Sequence, residues 1–283
     1  MPRTEWDVLP SAVRLAVGGH VGAVTGWVPV TEGLTCQTAA VLTTADGRVF
    51  VKGVPVSDAD AVLGQDWEVA ANPLVAGVAP LLLARVAVAG WDVLVFEYVD
   101  GRHADLTHGS ADTELVAQAL ERMQEVTAGG LAPRLANRFA HVLSDEEQLL
   151  LAGDTLLHTD TNPHNLLIGT SGAHVVDWAM VAAGPAWIDV ALTAVRLMEA
   201  DWPPEAALTW AGQFPSWQSA DPVAVAALVA GICRDWEARL GPDAARPSNA
   251  RYQALLGASA ESRTPAFRSE LWPGVSGSGT RPT

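Results

Sequence analysis

The sequence is poor in lysine, cysteine, positive charge and long apolar runs, and each scarcity removes a class of function. Of 17 basic residues in 283, Lys52 is the only lysine; every other basic side chain is arginine. Thirty-two acidic residues against those 17 leave a formal charge of −15, which repels a phosphate backbone and argues against nucleic acid as partner. The same acidity suits a cationic ligand, or serves only solubility. Two distant cysteines, Cys36 and Cys233, make neither a disulfide framework nor a zinc spacing. The uncharged run 72–84 is too short to span a bilayer and holds two prolines. Arg3, Glu5 and Asp7 stand where a secretory leader needs an apolar stretch. A membrane role is therefore not expected, and a reducing cytoplasm is the expected setting.

With 49% hydrophobic and 17% charged residues the chain reads as a folded globular protein with ample core. Its first part is β-rich. Apolar runs at 38–44 and 48–54 flank Asp46-Gly47, a hairpin signal, and runs at 81–88 and 91–99 flank Ala89-Gly90. Between them a helix is predicted from about Ser57, capped by Ser57 or Asp58 and ended by Pro73. After Asp100-Gly101 the pattern turns helical at 112–126 and 133–150. A third hairpin follows around 169–172, then helices at 186–200, 205–213, 221–240 and 246–259. The expected class is α+β: a small antiparallel-sheet lobe (1–97), a hinge, a larger helical lobe (98–262) and a Gly/Ser-rich, partly disordered tail (263–283).

Chemistry concentrates at 157–168. His158, Asp160 and Asn165 form H-x-D-x-x-x-x-N, the spacing of a kinase catalytic loop, and Asp177 follows an apolar strand twelve residues later. Phosphoryl transfer asks for a positioned hydroxyl, a held triphosphate and a divalent metal between the phosphates. Asp160 suits the first task, accepting the attacking hydroxyl's proton. Asn165 and Asp177 offer the hard oxygen ligands that Mg2+ prefers. Lys52, inside the apolar strand Val49-Phe50-Val51-Lys52, would reach the phosphates, where a compact ammonium is not interchangeable with guanidinium. Glu68 on the following helix would pair with it.

The order and spacing of Lys52, Glu68, His158, Asp160, Asn165 and Asp177 resemble the aminoglycoside phosphotransferase family, with its protein-kinase-like bilobal fold, over about 33–189. Trp178, Gly184-Pro185 and Asp189 continue the resemblance. It implies an ATP- and Mg2+-dependent transfer to a small-molecule hydroxyl acceptor (aminoglycoside-like, amino-alcohol or sugar). It implies that Asp189 braces the catalytic loop, and that the hinge at Glu97 and Tyr98 meets adenine through its backbone. The sequence departs from the family at the phosphate-covering loop 32–38, which has a single glycine; Thr35 and Thr38 are its candidate phosphate-facing hydroxyls. It departs again at Thr159, where the family has glycine, read here as a mild change.

Two other readings compete: a kinase fold that binds nucleotide or a partner without turnover, and a metal-dependent hydrolase built on His158, Asp160, His164 and Asp177. Glu199, Asp201 and Glu205 are candidate acceptor-side carboxylates. Trp202, Trp210 and Trp217 are either pocket or core.

Overall fold

A computed structural model describes residues 3–31 and 36–257; Thr35 and the tail 263–283 lie outside the described residues. Five antiparallel strands form the first sheet: β1 (Val24–Pro29), β2 (Thr38–Thr44), β3 (Gly47–Pro55), β4 (Leu82–Val88) and β5 (Trp91–Glu97), ordered β1-β2-β3-β5-β4. Side chains alternate across β3. Val49 and Val51 join a core with Leu42, Val86, Val93 and Val95, whereas Phe50 and Lys52 line a cleft on the other side. At the β4–β5 turn both central residues take positive φ, 51° for Ala89 and 81° for Gly90, the conformation that matches strand twist in two-residue hairpins.

The outer face of this sheet is closed by a segment the sequence pattern did not announce. A 3-10 turn (Trp6–Val8) and helix α1 (Ser11–Val21) place Trp6, Leu9, Val13 and Val17 on the valine face of the sheet. Helix α2 (Ala59–Ala71) starts where expected, with the Asp58 side chain accepting from Ala61 N at 3.1 Å, and stops short of Pro73. It leans on the far part of the molecule: a Cβ on Gly64 would stand 3.3 Å from Ala179 Cβ.

Beyond the hinge lie β6 (Gly101–His103), α3 (Asp112–Gln124), α4 (Asp145–Leu150), β7 (Thr155–Leu157), β8 (Leu166–Gly169), β9 (Gly172–Val175) and β10 (Ala182–Gly184). Helices α5 (Trp187–Glu199), α6 (Pro204–Ala211), α7 (Pro215–Gln218), α8 (Pro222–Leu240) and α9 (Pro242–Ala254) complete it. The structure is thus α+β, with an antiparallel sheet before a mostly helical part. No helix among the described residues is long and apolar enough to cross a membrane.

One predicted helix is corrected. Residues 133–150 are not one helix but a 3-10 turn (Leu135–Phe139) followed by α4. Ser144 breaks the run because its side chain and that of Glu147 form a reciprocal capping box, which starts a new helix there.

Strands β6, β8 and β9 form one small sheet, and β7 with β10 another. These short pairs hold the loop 158–165. Gly101 has to be glycine where β6 crosses β8, since a Cβ would stand 2.4 Å from the Ile168 carbonyl oxygen. Gly184 packs closely too, a Cβ there falling 2.8 Å from Leu157 Cδ1, so a larger residue would displace the leucine one residue before His158.

Candidate active site

Lys52 is 7% exposed, and its ammonium lies between two carboxylates. It is ion-paired with Glu68 of α2 and, at 2.8 Å, with Asp177 Oδ1. Burial opposes the charged amine, but the carboxylates of Glu68 and Asp177 outweigh it, so its pKa lies above that of a free lysine. Burial, with the Asp177 carboxylate adding to it, pushes the Glu68 carboxyl up against the pull of Lys52. Glu68 is 4% exposed and also receives a backbone hydrogen bond from Trp178. The three residues come from β3, α2 and the end of β9, so this cluster ties the sheet to the helical part.

Asp177 takes a left-handed φ of 65°, a conformation aspartate tolerates better than bulkier residues. Across from it, β8 pairs Leu166 with Val175, and Val176 N donates to Asn165 O at 2.9 Å. Asn165 and Asp177 therefore sit at neighbouring ends of one hairpin and both line the cleft. Both hydrogen bonds recorded for the Asn165 side chain use its amide nitrogen, to Asp160 O at 2.9 Å and Asp160 Oδ2 at 3.1 Å. Its side-chain carbonyl is the atom left to meet a cation.

The cleft has a volume of about 290 Å3. Lys52, Glu68, Asn165 and Asp177 line one end. Val41, Phe50, Phe96, Leu167 and Val176 supply apolar walls, and Glu97, Tyr98 and Val99 run along its edge. The Glu97 side chain is turned to the sheet, where it accepts from Leu81 N at 3.2 Å. The Arg48 guanidinium covers the Tyr98 ring at 4.2 Å.

The loop bearing Asp160 is fastened by one stripe of α5. Asp189, Thr193 and Arg196 follow i, i+4, i+7 and so share a helix face. Asp189, 3% exposed, accepts from His158 N at 2.8 Å and Thr159 N at 2.9 Å. Thr193 Oγ1 meets Thr161 Oγ1 at 2.8 Å. Arg196 Nη2 reaches Asp160 Oδ1 at 3.1 Å while Nη1 holds Glu199 Oε2 at 2.7 Å. Asp160 Oδ2 accepts from Asn162 at 2.9 Å. Sequence reasoning missed Thr193 and Arg196. The available signal was a D-x-x-x-T-x-x-R stripe in an otherwise apolar helix.

His158 is fully buried and used on both nitrogens. Nδ1 accepts from Asp160 N at 3.2 Å, which leaves the proton on Nε2 to donate to Val176 O at 2.9 Å. It is thereby withdrawn from the metal-ligand set that the hydrolase reading requires. Among the described residues no three His, Cys, Asp or Glu side chains are grouped to hold an ion. His164 is the middle residue of a 3-10 turn (Pro163–Asn165), its N–H donating to the capping Asn162 Oδ1 at 2.9 Å.

Thr159 is not a mild departure. Its φ is 68°, a left-handed conformation that is a genuine outlier for a β-branched residue. The hydroxyl offsets the strain by donating to Met180 O at 2.6 Å and accepting from Arg138 Nη1 at 2.6 Å. Thr159→Val keeps the shape and strain but deletes both bonds, and is expected to destabilise by about 2 kcal/mol. Thr159→Gly is expected to lose less, since it relieves the strain. Urea unfolding ranks the two; a valine variant as stable as wild type contradicts the role given to the hydroxyl.

Of the candidate acceptor-side carboxylates, Glu199 is joined to Asp160 through Arg196, whereas Asp201 and Glu205 are exposed. Trp217 is core, 2% exposed. Trp202 and Trp210 line a shallow hollow with His108. Thr38 is buried beside the cleft, and its hydroxyl finds no hydrogen-bond partner among the described residues.

Residues 120–223, which include the Asp160 loop, Asp177 and α5, match the sequence model of a phosphotransferase enzyme family. No curated protein matches the chain. Among solved structures, choline kinase LicA from Streptococcus pneumoniae is similar with a TM-score of 0.57 and 12% identity, covering 88% of this chain and 98% of that one. A putative aminoglycoside phosphotransferase from Ralstonia eutropha gives 0.53 and 14%, with 88% and 98% covered. An aminoglycoside phosphotransferase from Streptomyces rimosus, in complex with ADP and streptomycin, gives 0.51 and 18%, with 87% and 98% covered. Residues 120–223 thus resemble a phosphotransferase enzyme family in sequence, and the described chain shares the fold of the choline kinase and the aminoglycoside phosphotransferases above.

Proposed function

We propose that the chain is an ATP- and Mg2+-dependent phosphotransferase that moves the γ-phosphate to a hydroxyl of a small molecule, either aminoglycoside-like, an amino-alcohol or a sugar. One observation carries this reading: a buried ammonium shared by Glu68 and Asp177 lines a cleft together with Asn165, whose side-chain amide is bonded to Asp160. Structural ion pairs are usually balanced. Here two acids surround one lysine, so the cluster carries excess negative charge suited to a further cation.

The proposed roles follow from the geometry. The apolar walls around Phe50 and Val176 exclude water from a nucleotide base, and the backbone at Glu97 and Tyr98 borders it. Lys52 steadies the phosphates from β3, held in place by Glu68. Asp160 accepts the proton of the acceptor hydroxyl at its carboxylate, which Arg196, Asn162 and Asn165 hold in orientation. Asn165 and Asp177 would hold Mg2+, an ion whose preference for few carboxylates and for phosphate oxygens fits this donor pair; bound there it would neutralise charge on the phosphates. Thr35 is proposed to contribute its hydroxyl at the phosphate-covering loop. The division into a nucleotide-binding part ending near residue 97 and a catalytic part beyond it belongs to the same reading.

The lone lysine makes the nucleotide contact testable. Lysine-selective acylation is expected to modify only Lys52 and the α-amino group, and saturating MgATP is expected to slow labelling of Lys52 at least about tenfold while leaving the α-amino group unchanged. Peptide mapping by mass spectrometry reads both sites in one sample. Equal labelling of Lys52 with and without MgATP counts against the contact.

A further inference from the structure

A pair of histidines that the proposed chemistry does not use meets on the helical side of the cleft. His103 ends β6, and His164 sits in the turn directly before Asn165. Both line the cavity. Their rings meet edge to face, with centroids 5.3 Å apart and planes at 73°, an arrangement aromatic rings favour. The His164 backbone is pinned as well. Its N–H donates to Asn162 Oδ1 at 2.9 Å, and the same Asn162 side chain donates to Asp160 Oδ2 at 2.9 Å. The His164 imidazole is exposed, yet it is held beside the cleft by a second ring and a fixed turn.

The pair stands between the two ends of the cleft. In the β6–β8 register His103 faces Leu167, part of the apolar wall. Followed backward, β6 leads through Gly101 and Val99 to Glu97 and Tyr98, the edge proposed to border the base. Followed forward, His164 leads at once to Asn165, at the metal and phosphate end. A nucleotide that spans these ends lays its sugar between them. Other polar side chains along the cavity are already engaged. Asn72 donates to Pro80 O and accepts from Leu82 N, each at 2.8 Å, and Glu97 accepts from Leu81 N. Imidazole offers donor nitrogens and, when neutral, one acceptor. A vicinal diol both donates and accepts, so the two match in either protonation state.

We propose that His164, braced by the ring of His103, is a specificity-determining residue of the nucleotide site, whose imidazole hydrogen-bonds the ribose hydroxyls and so selects ribonucleotides over deoxynucleotides. The inference rests on the nucleotide site proposed above and adds to it a sugar contact.

The test uses the full chain as wild type, His164→Ala and His164→Asn, each titrated calorimetrically with ATP and with 2′,3′-dideoxyATP in saturating Mg2+. Wild type is expected to bind ATP about 3- to 10-fold more tightly than the dideoxy compound, the range for one net hydrogen bond. His164→Ala is expected to lose that preference by weakening ATP alone, with dideoxyATP affinity changed less than about twofold. His164→Asn keeps a donor and an acceptor and is expected to fall between the two. The side chain is exposed, so the unfolding midpoint is expected to stay put. A loss shared equally by both nucleotides overturns the proposal and makes His164 a support for Asn165 only. An unchanged preference in the alanine variant, or no preference in wild type, overturns it too. Failure of the wild-type protein to bind either nucleotide fells the nucleotide site itself, a different result from failure of His164 alone.

Discussion

Asp160→Asn is expected to lower phosphoryl transfer by about 10²- to 10⁴-fold, the range for losing a positioned general base, while leaving MgATP affinity close to wild type. The carboxylate is bound by Arg196 on Oδ1 and by Asn162 and Asn165 on Oδ2. Of these partners only Asn165 is also proposed to meet the metal, and its amide keeps the bond to the Asp160 backbone carbonyl at 2.9 Å when the carboxylate is replaced. An asparagine keeps the shape and one acceptor but cannot take a proton. Its amide nitrogen would face a donor, either Arg196 or the pair Asn162 and Asn165, so some loosening of the loop is expected as well. Turnover per site against nucleotide affinity, measured on one preparation, separates the effects. Full turnover in this variant, on an acceptor the wild type uses, shows that the base has been misassigned.

Asp177→Ala is expected to act on the other half of the reaction. Even residues that only orient a metal's ligands alter its affinity about 10- to 100-fold when removed; loss of a direct carboxylate ligand is expected to exceed that and to abolish the Mg2+-dependent part of ATP binding. The fold should survive. Asp177 has a side-chain exposure of 28%, and Lys52 keeps Glu68 as partner, so no buried charge is orphaned. A thermal midpoint near wild type with metal-dependent binding gone is the expected pair of results. The reverse pair, intact binding with a large drop in midpoint, makes Asp177 a structural anchor for Lys52.

The legible parts of the molecule are those where local chemistry and spacing agree. Asp46-Gly47 and Ala89-Gly90 mark hairpins because the backbone there needs φ values most residues resist. Asp58 caps α2, and the hydrogen-bonding order of the 158–177 segment follows from one loop and one hairpin close in sequence. Lys52, Glu68 and Asp177 are legible from chemistry together with kinase-like spacing, and the fold joins Lys52 to Asp177 across 125 residues of chain. What escaped was non-local or masked. Helix α1 carries Val13 and Val17 at helical spacing, but Gly18, Gly19 and Gly22 blur its end, and its driving force is the valine face of a sheet that forms later. Arg196 and Thr193 look like ordinary helix residues until α5 is laid against the loop. Thr159 passed as a minor substitution because no sequence pattern reports φ.

Nucleotide binding is tested most directly by a calorimetric titration of the purified wild-type protein with ATP, with and without Mg2+. Saturable binding at one site per chain that strengthens severalfold or more with Mg2+ is expected if Asn165 and Asp177 supply the metal's oxygens and the Lys52 cluster the phosphate contact, as proposed. No binding of ATP, and none of GTP under the same conditions, would contradict it and leave a kinase-shaped chain whose cleft serves another ligand.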